Sequence, residues 1–463
     1  MSDVGQRDHE SGQVAGPGST RGLGSNYRKL WSASTISNLG DGIDSAAIPL
    51  LAETLTRDPL LFAGVAIAGR LPWLLFSLHA GVIADRVDRR RLMYLTNAVR
   101  FGLMVLLGVA ILLDGASIWL LYLIAVALGI FEVLFDNASN ALMPAVVRKD
   151  QLEQANGRLY AGEVVSNQFV GPALGAWLFG IAAALPILLD AGTFAIAAGL
   201  LVSMTGTYSR AHRRTREATG HDGVAAAPGD GAPTDPSAAS PTASTGGRRP
   251  AALAEIREGL HWLRRHRLLR TFALLTAAMN GATMTWYSVL ALYVVGEGSV
   301  LGLSEAAFGL LFIAGATGSL LGSFGAQRAT RLLGRGQALR VSLALIGLAP
   351  LAIALTGDVA VYLVAQALYG FAAVSWNVVT ISLRQRLVPD ELLGRVNSVF
   401  RFLGWGAMPL GALLGGITAS VFGLRAPWFA AAGVVALALV LALRVVTPAA
   451  VAQADVEAGL TPG

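Results

Sequence analysis

Long apolar runs separated by short polar breaks fill residues 30–206 of the chain and resume at residue 269. Each run is long enough to cross the hydrocarbon of a bilayer as a helix, which takes about 20 residues. The first half predicts helices near 30–54, 60–84, 92–113, 118–142, 158–181 and 184–206. The second predicts six more, near 269–295, 303–327, 338–356, 359–383, 396–422 and 426–447. Residues 207–252 interrupt the pattern. Arg210, Arg213, Arg214 and Arg216 lead into an Ala/Pro/Ser/Thr/Gly stretch that closes at Arg248-Arg249-Pro250. Nothing there can bury an apolar face, so the stretch predicts a flexible linker. Beyond it Leu253, Ile256, Leu260 and Leu263 recur at helical spacing among Arg257, Arg264 and Arg265, the pattern of a short helix lying on a membrane surface. The expected architecture is an all-α integral membrane protein of twelve transmembrane helices. Its two six-helix halves cover 27–206 and 253–447, and polar tails at 1–26 and 448–463 are expected to be disordered. Deleting roughly residues 218–246 is expected to leave membrane insertion and activity largely intact. Loss of folded protein in detergent would show that the linker packs somewhere.

Composition agrees: 54% of the 463 residues are hydrophobic and 14% are charged, against about a quarter charged in soluble chains. The net charge is +6, almost all from arginine, and it sits in the breaks between runs rather than on one face as a nucleic-acid surface would need. Arg28/Lys29, Arg86 to Arg91, Arg148/Lys149, the linker, Arg328 to Arg340, Arg384 to Arg395 and Arg444 all fall on one side of the threaded chain. The other side holds little beyond Arg57/Asp58, Asp114, Glu297, Asp358 and Arg425. Arginine-rich short loops face the cytoplasm, so a cell-membrane protein with both termini cytoplasmic follows. There is no cysteine, which removes disulfides and thiolate chemistry. No residues match the phosphate-binding loop of ATPases, so any energy comes from an ion gradient or from the solute.

The most informative break is Gly81-Val-Ile-Ala-Asp85-Arg86-Val-Asp88-Arg89-Arg90-Arg91. Gly81 lets two helices lie close, and Asp85, one turn on, can accept from a helix N-terminus or pair with an arginine. Such a charged latch can form in one conformation and break in another. The arrangement resembles the helix 2–3 loop motif of the major facilitator superfamily, and Asp85 to Arg90 is similar to the form in its macrolide-efflux and enterobactin-exporter branch. The resemblance implies the superfamily fold, alternating access and a latch of Gly81, Asp85, Arg86, Arg89 and Arg90. It also implies a monomer that takes a small-molecule substrate together with protons or another coupling ion, in the lipid bilayer, without cofactor, metal or nucleic acid. The halves also repeat at a shift of about 241 residues: Asn38 falls on Asn280, Gly81 on Gly322, Gly129 on Gly370, and Phe135-Asp136 on Trp376-Asn377. Ala326 stands where the repeat of Asp85 would be, so the latch is asymmetric.

Ionisable residues within spans are costly and tend to face the bundle interior or a watery path. Helix 1 carries Asp41 and Asp44, three apart on one face and flanked by Gly40 and Gly42. Two acids so placed resist holding two negative charges, which suits one of them to picking up a proton. Asp41, with glycines that would admit water, is the first choice for coupling. Helix 4 adds Glu132, Asp136, Asn137 and Asn140 on one side, but lacks the embedded arginine of many drug/proton antiporters. Arg70 and Arg100 are the counter-charges on offer, and His79, without a second imidazole at helical spacing, is read as structural. Helix 5 contains Gly171-Pro172-Ala-Leu-Gly175, similar to the family's antiporter signature except that Asn167 and Ala176 replace glycines. Packing explains these residues as well as gating does. By resemblance, helices 1, 4, 7 and 10 line the cavity. There they offer Asn38, Asp136, Asn280, Trp286, Tyr287, Trp376 and Asn377 beside the coupling candidates Asp41, Asp44 and Glu132. Aromatic and amide groups with a few acids suit a bulky, amphipathic, cationic solute. Efflux by proton antiport of drug-like, macrolide, siderophore or other natural-product solutes is the first reading. Nutrient uptake by symport or uniport, and a non-transporting sensor or membrane-embedded enzyme, stay open.

Overall fold

The computed structural model describes residues 23–148, 151–205 and 251–457. Most of the linker and the first 22 residues lie outside them, as does the end of the C-terminal tail. The first half holds α1 (Ser25–Leu55), α2 (Pro59–Arg86), α3 (Arg89–Leu112) and α4 (Ile118–Val146). Its fifth span is composite, α5 (Leu152–Glu163), a π-helical segment (Val164–Val170) and α6 (Gly171–Ile181), and the sixth is α7 (Ala184–Val202). A surface helix, α8 (Ala251–Arg265), leads into the second half. That half holds α9 (Arg267–Tyr287), α10 (Leu290–Val294), α11 (Glu305–Leu333), α12 (Arg335–Thr356), α13 (Val359–Leu387), α14 (Asp390–Phe422) and α15 (Ala426–Val445). Ten helices among the described residues are long and apolar enough to cross a membrane. The polar α1 and the broken α9–α10 pair complete twelve.

The internal repeat governs the packing. In the first half α1 packs on α6 and α7, α2 on α4, and α3 on α7; in the second, α9 packs on α14 and α15, α11 on α13, and α12 on α15. Helices two and four of each half start in the same way at the end opposite the arginine-rich loops. Asp58, Ser117, Ser304 and Asp358 each cap the following helix through a side-chain oxygen. The halves meet where α2 runs along α14 and α6 along α11. Small residues allow this approach: a side chain at Gly309 would press on the Ala173 backbone at 2.9 Å, and one at Gly416 on Ala63 at 2.9 Å.

Two expectations change. The seventh span is not one helix through residue 295. It stops at Tyr287, and the chain beyond α10 folds back so that Val300 and Leu301 donate to the Tyr293 carbonyl at 2.9 and 3.1 Å. The C-terminal tail is helical over α16 (Pro448–Glu457) rather than disordered. Thr447 accepts from the Ala450 amide at 3.0 Å, and Val451 is 2% exposed against the bundle, so the segment has both a cap and something to bury. The helix after the linker begins at Ala251 and docks on α14, where Glu258 pairs with Arg395 at 2.5 Å.

Candidate functional site

Pro172 decides the local shape of the fifth span. It has no N–H to return to the carbonyl four residues back, and the seven residues before Gly171 wind as a π-helix. The widened turn presses directly on α1. A side chain at Gly42 would meet the Ser166 carbonyl at 2.7 Å, and one at Gly171 would meet the Gly42 backbone at 2.6 Å. At Gly175 it would strike the Ile43 carbonyl, and at Gly40 the Asp190 carboxylate on α7. Of the glycines that flank the helix-1 acids, Gly42 is thus a contact point between backbones and Gly40 seats the Asp190 carboxylate; neither is an opening to water.

This packing rotates Asp41 and Asp44 into the bundle, where α3 supplies their counter-charge. Arg100, 2% exposed, donates to Asp41 and, at 3.5 Å, to the Ser37 hydroxyl; its guanidinium lies 4.0 Å over the Phe194 ring. Asp190 closes the group from α7 with no exposed surface. The Thr193 hydroxyl donates to its Oδ1 at 2.9 Å, and its carboxyl lies within hydrogen-bonding reach of that of Asp44. Nothing in the loop motif or the repeat pointed to Asp190. The available signal was an acid alone among ionisable groups in the apolar run Ala184–Val202.

A cavity of about 420 Å³ opens beside this group. Asp41, Asp44, Glu132, Asp136 and Glu163 line it with Arg70 and Arg100, and Trp73, Met284, Tyr287 and Trp405 complete the wall. A second space of about 310 Å³ shares Ser45, Arg70, Asn167, Gln168 and Tyr287 with the first. It reaches into the other half among Trp286, Phe312, Tyr362, Gln366 and Tyr369. Trp286 is fixed there by stacking on Trp428 at 4.7 Å, and Tyr369 by a hydroxyl hydrogen bond with Thr283. A third space of about 320 Å³ continues from Trp73, Trp405, Asp136 and Glu163 toward Asn38, Asn140 and Arg401. One side of the site is thus acidic, from the first half, and the other aromatic, from the second.

The structure brings together Asp41, Asp44, Glu132, Asp136, Trp286 and Tyr287 around the two adjoining cavities, and places Asn38 in the third. Asn280 instead ties helices: its amide donates to the Gly404 carbonyl on α14 at 3.2 Å. Trp376 is 1% exposed and packs edge-to-face on Phe272 at 5.9 Å, while Asn377 is exposed; neither lines these cavities. Among the loop residues, Arg89 donates to the Ala141 carbonyl within α4 at 2.8 Å, and Arg90 to that of Leu201 at 2.8 Å, capping the end of α7. Arg340 repeats this on α15, donating to the Val446 carbonyl at 2.9 Å. The backbone of α2 runs through Gly81, Asp85 and Arg86, and the surroundings of these three lie outside the described residues. No cluster of metal-ligating side chains occurs among the described residues.

The model of the family described as Major Facilitator Superfamily matches residues 30–408 and 298–462. The chain belongs to the major facilitator superfamily. It is 26% identical over 407 residues to the multidrug efflux pump Tap of Mycolicibacterium fortuitum, spanning 86% of this chain and 90% of that protein. Macrolide efflux protein A of Streptococcus pyogenes is 22% identical over 428 residues, 91% of this chain and 95% of that one. Among solved structures, the fold matches a bacterial homologue of the lysosomal transporter Spinster in an inward-facing, unoccupied conformation. The TM-score is 0.65, with 14% identity, over 96% of this chain and 100% of that one. An inward-facing bacterial homologue of the iron transporter ferroportin matches with a TM-score of 0.64 and 18% identity, over 90% and 98%. The family and the efflux relatives make this superfamily member a multi-pass membrane transporter and not an enzyme.

Proposed function

We propose that this transporter is a secondary active exporter that exchanges protons for a bulky, amphipathic, cationic solute by alternating access. The observation that carries the reading is the cavity in which five carboxyls oppose two guanidiniums on one side while aromatic rings form the other. A solute cation gains from the acids, and its apolar body gains from Trp286, Tyr287 and Tyr369. The charge of the acids also gives protons and solute a reason to compete for one place. If a proton and the cation neutralise the same carboxyls, each expels the other, which is the linkage antiport requires. The efflux activities named for the two relatives support the direction of transport. The arginine-rich ends of the helices support a cytoplasmic side of the cell membrane for both termini and for the third cavity. Drug-like, macrolide, siderophore or other natural-product solutes fit the size of the joined cavities. The superfamily latch at Asp85, Arg86, Arg89 and Arg90 would bias the access states.

Inverted membrane vesicles test this directly. A bulky lipophilic cation such as tetraphenylphosphonium is expected to accumulate when the lumen is made acidic, by about tenfold for each pH unit if one proton is exchanged per cation. Collapse of the pH gradient should release it. Accumulation that ignores the gradient would sink proton antiport, and accumulation only in right-side-out vesicles would establish uptake.

A further inference from the structure

Asp190 is a fully buried ionisable residue of the first half that does not line the cavities. It lies in the middle of α7. Its carboxyl sits so close over Gly40 that one added methyl would collide with it, which fixes its position on α1. Thr193 satisfies Oδ1, while the buried Oδ2 has no hydrogen-bond partner among the described residues, and the carboxyl within reach is that of Asp44. Asp44 Oδ1 is likewise buried without a hydrogen-bond partner among the described residues. Two carboxyls bonded to each other hold one proton between them, because two bare carboxylates in a dry contact repel. Asp44, unlike Asp190, also lines the cavity.

The surrounding charges divide the labour. α1 contributes Asp41, which Arg100 of α3 already engages; α4 contributes Glu132 and Asp136, and the fifth span Glu163. The segment of that span packed on α7, α6, brings no ionisable group. Asp41 is therefore committed as the counter-charge of Arg100, and the proton-bearing contact is the one between α1 and α7.

We propose that the coupling proton is shared between Asp44 and Asp190, with Asp44 exchanging it with cavity water and Asp190 holding it within the protein. On release, the O–H bond at Asp44 breaks, the proton passes to water, and the pair is left as two carboxylates facing Arg100. On reloading, water returns the proton to Asp44 and the hydrogen bond to Asp190 forms again. Because the two groups sit on different helices, the proton also ties α1 to α7, and its loss frees one helix to move against the other. The inference rests on the proton-antiport reading above.

The test uses the full chain in proteoliposomes, with tetraphenylphosphonium as probe and two activities measured side by side, pH-driven accumulation and probe-for-probe exchange. Wild-type protein without pH-driven accumulation overturns the antiport reading itself. With the wild type active, Asp190→Asn is expected to lose the roughly tenfold-per-unit accumulation while exchange changes by less than about twofold, and Asp44→Asn is expected to lose the accumulation as well. The double variant should be no worse than either single one, since the pair acts as a unit. Asp190→Asn that still accumulates the probe against the gradient overturns the inference, as does an equal loss of both activities. Thr193→Val serves if Asp190→Asn does not fold. It keeps the shape of α7, removes the hydroxyl from Asp190, and is expected to move the pH midpoint of accumulation by about half a unit or more. A midpoint that stays put overturns the inference.

Discussion

Replacing Arg100 by methionine is expected to cost about 3–5 kcal/mol of stability and to leave little folded transporter at growth temperature. The guanidinium is the cation that engages Asp41, and it lies at van der Waals distance from Phe194 on α7. Removing it leaves Asp41, Asp44 and Asp190 together in the bundle without their compensating charge. Methionine preserves much of the volume, so the loss measures the charge rather than a cavity. Thermal melting of detergent-purified protein is the readout, and Asp41→Asn added to the same variant should restore part of the loss by removing the stranded carboxylate. Normal melting of the single variant would show that Arg100 is dispensable and that the three acids are stabilised by something else.

The second large effect concerns selectivity. Glu132→Gln is expected to weaken binding of a monocationic solute by roughly 10–100-fold while a neutral solute of similar shape loses less than about twofold. The reasoning is Coulombic: a carboxylate about 5–6 Å from a bound cation contributes about 1.5–3 kcal/mol at the effective dielectric of a half-wet site. Glu132 is half-buried on the acidic wall, and glutamine keeps its shape and hydrogen-bonding capacity. Fluorescence titration with a charged and an uncharged ligand on the same preparation reads the difference. Equal losses for both ligands would mean that Glu132 shapes the cavity and does not select for charge. Because Asp136 lies one turn further along α4 and lines the same space, Asp136→Asn should show the same asymmetry to a smaller degree.

These two expectations differ in how far the sequence alone could support them. Glu132 was visible as an acid in an apolar run of α4, and its role follows once the helices surround a cavity. Arg100 was visible as an embedded cation, but Arg70 was an equal candidate for the same acids. The choice depends on how α1 and α3 are rotated about their axes, and a hydropathy pattern does not carry rotation. Asn280 and Trp376 teach the same lesson in reverse. Their positions in the repeat pointed to the cavity, yet one ties α9 to α14 and the other fills the packed core. A pseudo-symmetric repeat preserves the backbone path better than it preserves which side chains reach the centre.

The sequence by itself determined the twelve spans, the two halves, the charged ends and the superfamily resemblance. Each of these answers to a local demand: lipid tolerates about 20 apolar residues wound as a helix, and arginine is kept out of it. The tertiary structure alone decided which buried polar groups meet. It paired Arg100 with Asp41, set Asp190 against Asp44, closed Gly40 and Gly42 against neighbouring helices, and gathered Phe312, Tyr362 and Tyr369 into the aromatic wall. It also broke the seventh span after Tyr287 and gave the tail a capped helix. These are contacts between residues far apart in the chain, chosen by close packing of helix against helix. Burial makes each such contact costly to leave unsatisfied, but the partner that satisfies it is fixed only when the helices are assembled.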